Sequence, residues 1–362
     1  MTGKQHIVVI GAGYAGLAAA RRLAGRAGTA RITVVDARAE FVERVRLHQQ
    51  VAGQRLRRWN LAEELERKGI RFVQARATRI DAVGKRIELD GGDCVDYDVL
   101  IYALGSLADT GGVPGAAEFA KSVATPEVSS WTVNGGTIAV VGAGATGIEL
   151  AAEIAESQRD SRVVLLSADE PGAWLSAKAV AHIRAVLEKL GVEIRADVKV
   201  VEVTADGVRL AGGEFVGAET TVWTTGFAVP ELAARAGLAV DGAGRVLTDE
   251  TLRSISHPEI YAAGDSAVIA GPGERSLRMA CATALPTGKY AADVVAARLR
   301  GREPGDLRFR YVLQCISLGR RDAVVQLLHA DDTPARTVLR GRLGARVKEL
   351  IVRGAAAAAG LR

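Results

Sequence analysis

"VVIGAGYAGLAAARRL" occupies residues 8–23, and "AVVGAGATGIELAAEI" occupies residues 139–154. The two phrases stand 131 residues apart and share one layout: an apolar, β-branched run, a glycine-rich turn, then alanine-rich helix formers. The first carries Gly11, Gly13 and Gly16, and the second carries Gly142, Gly144 and Gly147. Each is a G-x-G-x-x-G between a strand and a helix. The first glycine permits a tight turn. The second, lacking a Cβ, lets a pyrophosphate reach the backbone, and the third lets helix and strand pack closely. The helix N-terminus then offers unpaired N–H groups and a partial positive charge to the phosphates. Ala15 in the first copy, and Ala145 and Thr146 in the second, lie in the same binding segments.

A glycine-rich turn by itself can be only a turn, so the strand after each copy carries weight. After the first comes "RITVVDAR", whose Asp36 lies 20 residues past Gly16. That is the usual distance for a carboxylate that takes the ribose hydroxyls, and Ala37 sits beside it. After the second comes "SRVVLLSADE", which puts Ser167 at the equivalent 20-residue distance from Gly147. A carboxylate there would favour NADH and an arginine NADPH. Ser167 is neither, but Asp169 and Glu170 lie just beyond it and no basic residue comes before Lys178. The pattern leans to NADH and leaves NADPH open. Two nucleotide sites imply two dinucleotides and a hydride passed between them. The fold class is α/β, with two Rossmann-like dinucleotide-binding domains and a small C-terminal region.

Composition agrees with that class. The 362 residues are 48% hydrophobic and 25% charged, as in an ordinary globular protein. No apolar run approaches the roughly 20 residues needed to span a bilayer, and the chain enters a strand too early for a signal peptide. The expected location is the cytoplasm, with the inner face of the cell membrane as a peripheral alternative. A net charge of +5 without an aromatic-plus-basic module gives no argument for nucleic acid. Cys94, Cys281 and Cys315 form no C-x-x-C or C-x4-C, which argues against a local redox disulfide and against zinc. They read as buried free thiols, and no metal is expected.

Along the chain, residues 1–107 are expected to form the first part of an FAD domain and 108–227 the nicotinamide domain. Residues 228–305 return to the FAD domain, and 306–362 form a C-terminal region with a basic tail. Residues 106–136 read as a mixed linker. A helix is expected near 177–190 and another from about Thr287, with Pro286 in its first turn.

With these motifs in hand, the sequence resembles the two-dinucleotide flavoprotein reductases of the glutathione-reductase-like class. Within it the chain is most similar to type II NADH dehydrogenases and apoptosis-inducing-factor-like oxidoreductases. The resemblance covers about residues 5–320. "VVIGAGYAG" with Asp36 resembles the first FAD motif, and "HPEIYAAGD" the second, which implies FAD contacts at Gly264 and Asp265. "YDVLIYALGS" and "TTVWTTGF" resemble the two crossings between domains and place Ala103, Gly105, Thr225 and Gly226 at the cofactors. "RLHQQVAG" resembles the segment beside the flavin, with Arg44, His48 and Gln50 near the ring. Ala77, Ala284 and Pro286 join the FAD-lining set. "GATGIELAAE" resembles the NADH motif, whose Glu149 would meet the nicotinamide end and could relay a proton.

Two departures stand out. Disulfide reductases of this class carry a C-x4-C where this chain has Arg44 to Gln50, so thiol–disulfide exchange is not expected. Type II NADH dehydrogenases carry two glutamines on the late helix, where this chain has Ala282 and Pro286. The expected activity is an FAD-dependent NAD(P)H:acceptor oxidoreductase: hydride to flavin N5, then electrons to a quinone or another small acceptor. Glu149, Gln50 and His48 are the candidate catalytic residues. The alternatives are a ferredoxin-type reductase that feeds an oxygenase, and a redox-responsive flavoprotein with little turnover.

The stretch from Arg336 to Arg353 holds six basic residues against the single acid Glu349. Val347, Leu350, Ile351 and Ala355 fall on one helical face. Such a helix could lie on an anionic membrane surface. Its short apolar face without an aromatic favours packing on the FAD domain or on a second subunit, as in a homodimer.

Overall fold

Ile7, Val8, Val9 and Ile10 are fully buried. A strand with no polar alternation belongs at the centre of a parallel sheet covered on both faces, and the computed structural model places it there. The structure describes residues 4–124, 131–133 and 135–361.

The strand His6–Ile10 is the middle of a five-stranded parallel sheet. Arg31–Asp36 and then Arg71–Gln74 lie on one side, and Val99–Tyr102 and then Ile260–Ala262 on the other. A second parallel sheet repeats the layout. Thr137–Val141 is central, with Arg162–Leu166 and Glu193–Arg195 on one side and Thr220–Trp223 and Ala120–Ser122 on the other. The likeness extends to the inserts. A three-stranded antiparallel meander (Ala77–Asp81, Arg86–Leu89, Cys94–Asp96) comes just before Val99–Tyr102 of the first sheet, and another (Val200–Thr204, Gly207–Leu210, Phe215–Gly217) just before Thr220–Trp223 of the second.

The chain crosses between lobes twice, and the crossings are bonded to each other. Leu107–Ala108 pairs antiparallel with Phe227–Ala228. Trp223 Nε1 donates to the Asp109 carbonyl at 2.7 Å and Asp109 N–H to the Gly226 carbonyl at 3.3 Å. The stretch expected to be a linker therefore contains structure: the helix Ala116–Phe119 and the edge strand Ala120–Ser122 of the second sheet. Residues 125–130 and 134 of that stretch lie outside the described residues.

The helix Ala177–Lys189 forms where periodicity expects it. The late helix does not begin at Thr287. It runs Cys281–Arg298 with Pro286 inside it. The missing N–H costs one intrahelical bond, and the helix continues because its neighbours anchor it. Gly288 packs so tightly on the Ala15 backbone that a Cβ would clash, and Thr287 Oγ1 accepts the Gly264 N–H at 3.2 Å.

The C-terminal region is an antiparallel sheet (Leu313–Ser317, Ala323–Leu328, Pro334–Leu339) covered by the helix Gly341–Ala358. Its buried residues are Gly344, Lys348, Val352 and Ala356. The face expected to pack is turned partly outward: Leu350 is 69% exposed, and Val347, Ile351 and Ala355 are half-buried. The cause is local. Gly344 alone lets the helix sit on the Ala323 backbone, since a Cβ would run into the Ala323 carbonyl. The far end of the helix, with Ala356, Ala359 and Leu361, joins the core of the first lobe, while Ile316, Leu318 and Val324 join that of the second. Among the thiols, Cys94 is exposed rather than buried, and Cys281 and Cys315 are partly buried. All three are free. No helix among the described residues is long and apolar enough to cross a membrane.

Candidate active site

The two glycine turns have one geometry. Gly11 and Gly142 take φ of +94° and +101°, and their N–H groups donate to Val35 and Leu166 at 2.8 and 2.7 Å. A Cβ on Gly16 would strike the Gly11 carbonyl, and one on Gly147 the Gly142 carbonyl, so each helix lies directly on its turn. Gly13 and Gly144 cap the helices Tyr14–Ala24 and Ala145–Ser157 without a side-chain bond, and a Cβ on either would meet nothing within 4 Å. That open space in front of a helix N-terminus is what a pyrophosphate requires. Ala15 is buried beneath the first turn, while Ala145 and Thr146 are half-buried at the second.

Asp36 is buried at the end of its strand. Its Oδ2 accepts the Ala12 N–H at 2.7 Å, and both oxygens accept from the Arg38 guanidinium at 3.0 Å. Burial alone would raise its pKa, but the bonds from Arg38 and the backbone hold it below the usual carboxylate range. Arg38 is a residue that sequence reasoning missed. It covers Asp36, so a ribose must share or displace it. Ala37 is exposed beside Asp36, and Ala77 is half-buried at the start of the first meander.

Further along the same lobe, Asp265 Oδ2 accepts the Ser106 hydroxyl at 2.7 Å, and Arg44 donates to the Ser106 carbonyl at 2.7 Å. Asp265 Oδ1 is buried with no hydrogen-bond partner among the described residues. A buried orphan acceptor is costly, and here it points to a polar group that completes it, such as a ribityl hydroxyl. Gly105, at φ +68°, lies beside Arg44, and the buried Ala103 carbonyl abuts Gly11. Gly264, also left-handed, packs on Ala15 and donates to Thr287. Ala284 is buried one turn before Gly288, and Pro286 is half-buried. These residues fit FAD.

In the second lobe, Thr224 Oγ1 donates to the Val141 and Gly142 carbonyls at 2.9 and 2.8 Å, and Thr225 stacks on Gly142. Gly226, at φ +74°, starts the return crossing. Ser167 lies almost buried at its strand end, with Oγ accepting the Asp169 N–H at 3.3 Å. The nearby guanidiniums are committed: Arg184 to Glu170, and Arg195 to Glu193 and Glu214.

A buried charged cluster joins the three parts of the molecule. Glu149, from the second nucleotide helix, accepts the Ser317 N–H at 2.9 Å and its hydroxyl at 3.2 Å. The same carboxylate oxygen is in contact with Lys348 Nζ from the C-terminal helix. His48, on the short helix Leu47–Val51, places Nε2 3.2 Å from Ser317 Oγ and Nδ1 3.7 Å from Glu149. All four residues are less than 9% exposed. Burial, with Lys348, Arg320 and Arg46 nearby, drives the His48 pKa well down, so its imidazole is neutral. Burial, with Arg46, pushes Lys348 down to about 7, and the Glu349 carboxylate opposes that push. One turn on, the buried Glu153 accepts from Gln54 through Oε1, has no partner for Oε2 among the described residues, and is pushed up to about 7 by burial. Gln50 shares the His48 helix but adds no side-chain bond to the cluster among the described residues. Lys348 and Ser317 carried no sequence signal: one read as tail charge, the other as a strand residue.

Two glycine cradles, one in each of two lobes joined by a pair of bonded crossings, are the frame of an FAD-dependent NAD(P)H oxidoreductase. The chain belongs to the pyridine nucleotide-disulphide oxidoreductase family, whose model matches residues 5–288, and it is an NADH dehydrogenase-like enzyme of that family. It is 34% identical over 348 residues to an NADH dehydrogenase-like protein of Mycobacterium tuberculosis, covering 88% of this chain and 86% of that protein. It is 28% identical over 363 residues to the type II NADH:quinone oxidoreductase of Staphylococcus epidermidis, covering 89% of each. In fold it matches NDH2 of Plasmodium falciparum, solved with NADH, at a TM-score of 0.82 and 15% identity over 96% of this chain and 94% of that one.

Proposed function

We propose that this chain oxidises NADH and hands the electrons to a small quinone-like acceptor, with the Lys348–Glu149 pair supplying the proton that the acceptor needs. The supporting observation is the buried cluster of Lys348, Glu149, Ser317 and His48, which brings together the nicotinamide lobe, the flavin-side segment and the C-terminal helix. The glycine turns and Asp36 would hold the pyrophosphate and ribose of FAD. Arg44, Ser106 and Asp265 would hold its ribityl end, and Gly144, Thr146 and Ser167 the dinucleotide half of NADH. When bound, the coenzymes supply the hydride chemistry. NADH gives two electrons and one proton. A quinone needs two of each, so one more proton must come from the protein. Lys348 is poised to give it near neutral pH and to recover it from solvent. Glu149 fixes the ammonium, and neutral His48 and Ser317 fix Glu149. Preference for NADH over NADPH rests on Ser167, with the neighbouring guanidiniums already paired.

Rapid mixing tests this reading. The protein loaded with FAD is bleached with NADH without oxygen, then mixed with a naphthoquinone. Reoxidation slows as pH rises through about 7, where Lys348 loses its proton. In Lys348→Met that limb disappears, and reoxidation falls on the order of a hundredfold. If the limb persists in Lys348→Met, Lys348 is not the donor.

A further inference from the structure

The cluster has a second boundary that the proton relay does not explain. A cavity of about 680 Å³ opens beside the C-terminal helix, with Ser317 and Lys348 among its lining residues. Arg320 and Arg321 also line it, from the turn before strand Ala323–Leu328, as do Arg342 and Arg346 from the helix. All four arginines are exposed, and among the described residues none of the four guanidiniums is in an ion pair. The two acids at the cavity are already engaged, Asp322 with His182 and Glu349 with Arg46 and Arg353. The rest of the wall includes the apolar side chains of Val352 and Leu350.

Four unpaired guanidiniums around one opening repel each other, and folding alone gives no return for holding them there. Planar guanidiniums bind carboxylate, sulfonate and phosphate in paired hydrogen bonds. The volume falls in the range of about 300–1,000 Å³ found for small-molecule sites. An acidic protein would press on the arginines without filling such a hollow.

We propose that this cavity is an anion-selective acceptor pocket. It takes a small aromatic molecule whose acidic group docks on Arg320, Arg321, Arg342 and Arg346 and whose redox ring reaches toward Lys348 and Ser317. This rests on the function proposed above and narrows its acceptor to the acid-bearing class. The ring gains two electrons, drawn originally from NADH, and two protons, one from NADH and one from Lys348.

The test has two arms on the FAD-loaded protein. In the first, naphthalene sulfonate, which has no redox chemistry here, is titrated calorimetrically. Saturable binding is expected. It weakens about tenfold in Arg346→Ala, the loss of one charge-assisted bond, and returns in part in Arg346→Lys. No saturable binding, or equal binding in both variants, overturns the proposal. In the second arm, kcat/KM is compared for naphthoquinone and naphthoquinone sulfonate. The ratio favours the sulfonate at low salt and falls about tenfold in an Arg320→Ala, Arg346→Ala double variant. An unchanged ratio overturns it. So does co-sedimentation with phosphatidylglycerol vesicles, or reduction of an acidic iron–sulfur protein, that free sulfonate does not compete. Sulfonate binding with neither quinone reduced leaves the anion pocket standing and defeats the quinone reading instead.

Discussion

Glu153 shows how a single buried acid sets a pH dependence. It is fully buried, with its pKa pushed up to about 7. The native state therefore holds a proton that the unfolded chain releases near 4.3, and stability falls as pH rises from about 4 to 7. Glu153→Gln keeps the acceptor for Gln54 and removes the titration. The expected gain in denaturation free energy is about 3 kcal/mol at pH 8 and close to zero at pH 4. Urea unfolding at the two pH values measures it, and an equal change at both would show that Glu153 is not the titrating group. Lys348 poses the opposite problem for a reader of sequence. A lysine in a run of arginines looks like surface charge. Only the approach of Glu149, 199 positions away in the chain, shows it to be internal.

At the scale of elements, what was legible was what the backbone demands. Gly11 and Gly142 need a left-handed turn, and Gly16 and Gly147 must let a helix touch its own strand turn. No other residue type meets either condition, so the two cradles and their Rossmann-like setting could be read directly, whereas the edge strand Ala120–Ser122 was hidden in a stretch that read as linker. The starts and faces of helices were less legible. The late helix reaches back past Pro286 because tertiary packing outweighs one lost bond, and the C-terminal helix buries the row of Gly344, Lys348, Val352 and Ala356. A glycine and a lysine in that row disguise the apolar stripe. Gly147→Ala tests the second cradle alone. The added methyl meets the Gly142 carbonyl and costs about 1–3 kcal/mol. The protein should still purify yellow with FAD while its KM for NADH rises. Loss of flavin along with NADH binding would mean that the two turns do not act separately.

At the scale of the whole molecule, the two nucleotide lobes follow from sequence, whereas the site between them depends on a third region. Ser317 and Lys348 come from the C-terminal sheet and helix, which show no motif and are placed only by packing. Gly344 sets that placement, one helical turn from Lys348. Gly344→Val should lift the helix from Ala323 and draw Lys348 away from Glu149. Reoxidation by acceptor should slow on the order of tenfold or more, while reduction by NADH, which does not pass through Lys348, keeps its rate. If both half-reactions slow together, the helix supports the whole fold rather than the acceptor side.

The paired crossings have a mechanical corollary. Because Ala108 and Phe227 are zipped to each other, neither strand can flex alone without tearing that small ribbon. Any swing of one lobe against the other must bend both strands in step about a common axis, like a door on two pins. The nicotinamide-side lobe is thereby steered back to the same face of its neighbour on every stroke.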